Sequence, residues 1–215
     1  MATSDVEILE LYRISLHNAS AQPQLAEILT EFGYGPESLA ESKALLAEAR
    51  AAFDGSRTEK NEASAAYHDF DTRRDELNAI YSLDRKKARG TFGKDPVVAQ
   101  RLDILGNMPR AYIRWLEAVR TFYSEILADQ EIQQKLTRMK ITPEHLDRAY
   151  NLIGEVEAAR TRYVREVGES QNATKLKDAA FARVDDWMKE FYFVAKIALE
   201  ENPQLAESLG KLVRS

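Results

Sequence analysis

Three pairs of carboxylates recur at one spacing along the chain. Glu48 and Glu155, Glu62 and Glu169, and Asp71 and Asp178 each stand 107 positions apart. Two acids brought face to face can share a proton, or hold a hard cation through oxygen ligands. The competing use is ionic, with Asp71 and Asp178 pairing with Arg13, Arg74 or Arg120 to fix helix register. The ionic reading is preferred for Asp71 and Asp178, because a hard-cation site needs several clustered oxygens, and the sequence leaves open whether Asp71, Asp178, Glu48 and Glu155 form a site or only ionic helix contacts. No metal ligand, cofactor or catalytic residue is therefore assigned.

Other residues fit known chemistry less well. A di-iron helix bundle needs Glu-x-x-His on paired helices. The three histidines, His17, His68 and His145, are preceded three positions earlier by Ile14, Ala65 and Thr142. Asp185 and Asp186 are adjacent, and adjacent helical residues point about 100° apart. They are read as solvent-facing, since Val184 and Trp187 claim the inward face. Arg85, Lys86, Lys87, Arg89 and Lys94 form a basic run ending near Gly90, Thr91, Phe92 and Gly93. Such a run could bind phosphate, but cations at a helix C-terminus also complement its dipole while staying solvated, and this second use is preferred. Tyr112, Trp115, Trp187, Phe191, Tyr192 and Phe193 are read mainly as core. Residues 191–193 cover most of a helical turn, so at least one of these rings is left to face outward or line a groove. Asn172 and Thr174 match a glycosylation acceptor by chance, and no phosphate loop, nucleophile elbow or zinc spacing is present.

The spacing of the acids belongs to a wider repetition. Displaced by 107 without a gap, the sequence matches itself at about twenty positions, against six or seven expected from ordinary usage. Leu9, Glu10 and Arg13 meet Leu116, Glu117 and Arg120, and Pro36, Glu37 and Leu39 meet Pro143, Glu144 and Leu146. Pro96, Ala99, Leu102 and Leu105 meet Pro203, Ala206, Leu209 and Leu212. A duplicated unit of this kind describes construction. The sequence predicts one helical domain, 1–215, made of pseudo-symmetric halves 1–107 and 108–215, because sharing one interior buries more surface. Residues 5–105 are expected to superpose on 112–212 by a rotation near 180°.

Short helices are marked by proline followed by apolar residues at helical spacing and a glycine stop. Pro23, Leu25, Leu29, Phe32 and Gly33 show the pattern, as do Pro96, Val98, Leu102, Leu105 and Gly106. Proline suits the first helical turn and glycine the left-handed stop. These signals predict short helices near 23–32, 96–105, 130–139 and 203–212. Long helices are predicted at 5–20, 36–63, 65–91, 109–128, 143–168 and 172–200, with a turn at Gly168, Ser170 and Asn172. The equivalent break near Asn61 to Ala65 follows from the repeat. No period-2 run of useful length suggests a strand. The fold class is all-α: an antiparallel bundle of four long helices plus shorter ones, with internal duplication.

The pieces Gln22, Pro23, Gln24, Leu25, Leu29, Phe32, Gly33, Tyr34, Glu37 and Leu39, with the later Ile141, Thr142, Pro143, Glu144, His145 and Leu146, resemble all-helical bacterial proteins built from one or two such units. The second half departs from the pattern, with Lys140 and Ile141 in place of Gly33 and Tyr34. The resemblance spans most of the chain and implies a helical bundle. It brings no activity, cofactor or site residue.

Composition sets the remaining limits. Hydrophobic residues make up 44% and charged residues 30% of 215, too apolar for disorder. The net charge of −5 gives no electrostatic reason to expect nucleic acid. Cysteine is absent, which fits a reducing cytoplasm. The acidic N-terminal stretch is unlike a signal peptide, and the longest apolar run, Phe191 to Leu199, is too short to span a bilayer. The expectation is a cytoplasmic structural or protein-interaction module that binds a protein partner or itself, without a membrane. The alternative is a small-molecule or metal-binding protein, or an enzyme, with its site between the halves.

Overall fold

The computed structural model describes residues 4–210. They form eight helices: α1 (Asp5–Ala21), α2 (Pro23–Glu31), α3 (Pro36–Phe92), α4 (Pro96–Arg101), α5 (Tyr112–Ala128), α6 (Gln130–Thr137), α7 (Pro143–Ala198) and α8 (Pro203–Glu207). No strand occurs among the described residues. The last turn expected up to 212 runs past residue 210 and lies outside them.

Local chemistry explains the helix starts. Ser4 caps α1 in a capping box with Glu7, satisfying two amide donors that the first turn leaves orphaned. Asp95 accepts from the amides of Val97 and Val98 at the start of α4, and Asp129 accepts from Glu131 and Ile132 at the start of α6. Thr142 Oγ1 accepts from the His145 amide ahead of Pro143. The expected start at 109 is corrected to Tyr112. Ala111 has extended dihedrals (φ −69°, ψ 128°) and there is no side-chain cap, so the chain leaves Pro109 without turning into a helix.

Two expected breaks are also corrected. The helix predicted to stop at 63 continues as the 57-residue α3, and the helix predicted to stop at 168 continues as the 56-residue α7. Gly168, Ser170 and Asn172 cost a helix interior at most about 1 kcal/mol each. Packing on both sides of these positions outweighs that local preference.

Two compact units result. Unit 1 takes the described residues up to Asn61 and those from Gly168 onward; unit 2 is Glu62–Val167. Neither coincides with a half of the chain. Unit 1 draws α1, α2 and the beginning of α3 from the first half, and the end of α7 with α8 from the second. Unit 2 draws α5, α6 and the beginning of α7 from the second half, and the end of α3 with α4 from the first. In each unit a stretch of α3 runs antiparallel to a stretch of α7. Ser42 meets Met188, Glu48 meets Arg183 and Phe53 meets Phe181 in unit 1. Tyr67 meets Tyr163, Arg73 meets Glu155 and Glu76 meets Arg148 in unit 2.

The core of unit 1 gathers Leu9, Leu16, Leu25, Leu29, Leu39, Val184, Met188 and Phe191. Tyr34 meets both Trp187 and Phe191 edge-on, with ring centroids 5.4 and 5.2 Å away. The core of unit 2 gathers Leu77, Tyr81, Phe122, Tyr123, Ile126, Leu136, Leu146 and Val156. Phe191 is fully buried, whereas Trp187, expected to face inward, is only half-buried. Phe193 is the outward ring of its turn, 67% exposed. Phe191→Ala should therefore cost about 3–5 kcal/mol in denaturant unfolding, as burial of a large ring implies. Trp187→Ala should cost less.

The stop glycines behave as the pattern requires, Gly33 at φ 89° and Gly106 at φ 72°. Lys140, 107 positions after Gly33, adopts the same left-handed conformation at φ 61°. A side chain there costs roughly 1–2 kcal/mol that glycine avoids. Lys140→Gly should accordingly raise the unfolding free energy by about 1 kcal/mol; an unchanged denaturation midpoint would contradict the argument.

Candidate functional site

Four of the six recurring acids are drawn into ion pairs. Glu48 and Glu155 reach across from one long helix to the other, Glu48 to Arg183 and Glu155 to Arg73. Asp71 pairs with Arg74 at 2.8 Å, one turn away on α3. Asp178 pairs with Lys177 at 3.2 Å, and that lysine also reaches Asp5 of α1 at 2.6 Å. Asp71 belongs to unit 2 and Asp178 to unit 1. Glu62 and Glu169 are exposed. Arg13 turns to Glu10, and Arg120 to Glu117 and Glu157, so of the three cations considered for these acids only Arg74 is used.

Asp186 is exposed beside Lys189, while Asp185 accepts the Tyr12 hydroxyl at 2.8 Å. Burial, reinforced by Asp185, pushes the Tyr12 phenol well above its ordinary value and keeps it protonated as the donor. Among the aromatic residues of unit 2, Phe70, Tyr112 and Tyr163 surround the Arg160 guanidinium at 5.2 to 5.5 Å from their ring centroids. The cluster is thus filled by a cation of the chain itself.

The basic run is only partly solvated, a correction to the expectation. Arg85 is buried and donates to the carbonyls of Asp103, Leu105 and Gly106 at 3.2 to 3.4 Å. Arg89 donates to the carbonyls of Ile104 and Gly106. Together they clamp the turn after α4, where Asp103 is held at φ 47°. Lys86 and Lys94 remain exposed.

One polar cluster escaped the sequence reading. Asp84 on α3 has no exposed surface. Its Oδ2 accepts the Tyr123 hydroxyl of α5 at 3.0 Å and stands 2.5 Å from His145 Nε2 of α7, while Lys87 Nζ lies 3.7 Å from Oδ1. An ionised Asp84 requires the proton of the imidazole on Nε2. Burial, with the carboxylate beside it, pushes the Tyr123 phenol far up, so it stays a donor. Oδ2 is thus matched by two partners, while Oδ1 is buried without a hydrogen bond and has the Lys87 ammonium nearby. The signal was present: position 84 falls at helical spacing between the inward Tyr81 and Ala88. Asp84→Ala should cost about 3 kcal/mol, since it strands a buried phenol and an imidazole N–H. Asp84→Asn keeps an acceptor and should cost less in the same denaturant titration.

A second feature lies in unit 1. Between α1 and the first turns of α3 runs a groove of about 760 Å³, within the usual size of ligand sites. Val6, Leu9, Leu16, Leu46 and Ala47 supply apolar surface, while Arg13, His17, Lys43 and Arg50 stand along it with Glu10. Arg13 and Arg50 do not face an acid across the groove. Arg13 forms a bidentate pair with Glu10 on its own helix, at 2.7 and 2.8 Å, and Arg50 pairs with Asp54 at 2.9 Å on its own. Lys43 donates to Ser20 at 2.9 Å. In unit 2 the positions 107 further on are Arg120 and Glu157, and these are joined to each other across the space between α5 and α7.

The chain matches no protein-family model, no curated protein and no solved structure. No described helix is long and apolar enough to cross a membrane.

Proposed function

We propose that the chain is a non-catalytic helical interaction module that receives a partner protein in the groove between α1 and α3. The observation that carries this reading is the groove itself, an apolar floor flanked by three permanent cations on a chain whose net charge is −5. A shallow concave strip of this kind suits the face of another polypeptide, with its opposite face left in water. The polar cluster around Asp84 is read as a buried acid held by Tyr123 and His145, and Glu48, Glu155, Asp71 and Asp178 as helix-to-helix or local ion pairs.

Two further elements of the sequence reading belong to this proposal. The first is duplication. α1 and α5, α2 and α6, α3 and α7, and α4 and α8 start 107 positions apart in every case, which supports two copies of one ancestral unit. The second is a cytoplasmic location, supported by the absence of cysteine.

Native mass spectrometry of the protein taken from its own cells tests the module. A stoichiometric polypeptide, or a second copy of the chain, is the expected companion. A bound molecule of a few hundred daltons in its place would overturn the reading in favour of a small-molecule site.

A further inference from the structure

Resting on the groove as the binding surface, we infer that its occupant is an acidic amphipathic helix of a partner protein, and that Arg50 is the residue that keeps the place open for it. The inference comes from comparing two positions with their counterparts at the 107-residue spacing. Arg13 corresponds to Arg120 and Arg50 to Glu157. In unit 2 the opposite charges meet and tie α5 to α7. In unit 1 two guanidiniums replace that pair, and like charges cannot close the same space.

Each arginine is instead satisfied on its own helix, with more than half of the side chain still open to water. Lys43 and His17 stand where unit 2 has Tyr150 and Ser124, so the change in charge extends along the strip. Glu10 lines the strip and Asp54 stands beside Arg50, two acids against the three cations Arg13, Lys43 and Arg50. The local sign is thus opposite to that of the whole chain, and carboxylates are the groups that it complements. Guanidiniums take carboxylates in two parallel hydrogen bonds, which also orients the ligand.

The dimensions favour a helix over a flexible chain. The α1 wall from Val6 to His17 is three turns long, about 16 Å. The strip is open on one side, which would leave much of an alkyl chain in water. An amphipathic helix needs only its apolar stripe covered, with anchors at i, i+3 or i+4, and i+7. Acidic residues flanking that stripe would meet Arg13 on one wall and Lys43 and Arg50 on the other.

Arg50→Glu makes the test sharp, because it recreates the pairing that unit 2 already tolerates and should leave the protein folded. A phage library of 18-residue helices is panned on the full chain, and recovered peptides are titrated against the wild type, Arg50→Glu and Lys86→Glu. Lys86 is an exposed cation of unit 2, so its variant makes the same change in net charge away from the groove. Recovered peptides should carry an apolar stripe flanked by Asp and Glu. They should bind Arg50→Glu at least about tenfold more weakly, with Lys86→Glu unchanged. Sodium dodecanoate, which offers a carboxylate on an alkyl chain, should not displace them. An empty panning, peptides indifferent to Arg50→Glu, equal losses in both variants, or displacement by dodecanoate would each overturn the inference. If native mass spectrometry still finds a polypeptide companion, those outcomes remove only the acidic helix. If it finds none, the module reading fails as well.

Discussion

Each compact unit depends on the antiparallel pairing of a stretch of α3 with a stretch of α7. The shorter helices have too few turns to be stable in water alone, so most of their stability must come from burying an apolar face. α1 and α2 bury theirs on the pair in unit 1, and α5 and α6 on the pair in unit 2. Apolar residues of both long helices enter each core, and ion pairs between the helices add to that packing. Arg73 with Glu155, Arg148 with Glu76 and Arg183 with Glu48 set the register of the two helices. These pairs are partly exposed, and each alone contributes little. Their value lies in excluding a slipped alignment, in which cations would face cations.

The two units carry different side chains at positions 107 apart. Where unit 1 has Phe191, unit 2 has Asp84, and the space that an aromatic ring fills in one is occupied by a hydrogen-bonded acid in the other. Where unit 2 closes α5 against α7 with opposite charges, unit 1 carries two arginines and an open groove. Specific polar groups distinguish the two units at these positions.

Much of the fold was legible before any coordinates. Proline marks the starts of α2, α3, α4, α7 and α8, because it needs no amide partner in the first turn. The unbroken passage of α3 and α7 was not legible. A glycine or asparagine raises a local cost of about 1 kcal/mol, and only the packing on either side shows that the cost is met. Asp84 was legible in principle from its place on an inward stripe, but a carboxylate there reads as an interruption until Tyr123 and His145 arrive from other helices. The groove could not be read at all. It depends on which residue faces Arg13 across two helices, and spacing along one helix carries no such information. The candidate acids were easy to find because they recur, and Glu48, Glu155, Asp71 and Asp178 stand in ion pairs.

Unit 2 is one uninterrupted stretch of chain, Glu62–Val167, whereas unit 1 joins the early chain to the late. Ser15 donates to the carbonyl of Leu209 across 194 positions, and Lys177 reaches back to Asp5 across 172. A ribosome delivers residues in order, so α1 and α2 emerge long before the α7 residues that cover them. Unit 2 can complete its core before the stretch from Gly168 onward has been added. The apolar faces of the first two helices must wait for the stretch that follows Gly168 for their shelter. That interval makes the beginning of the chain the part most in need of a chaperone during synthesis.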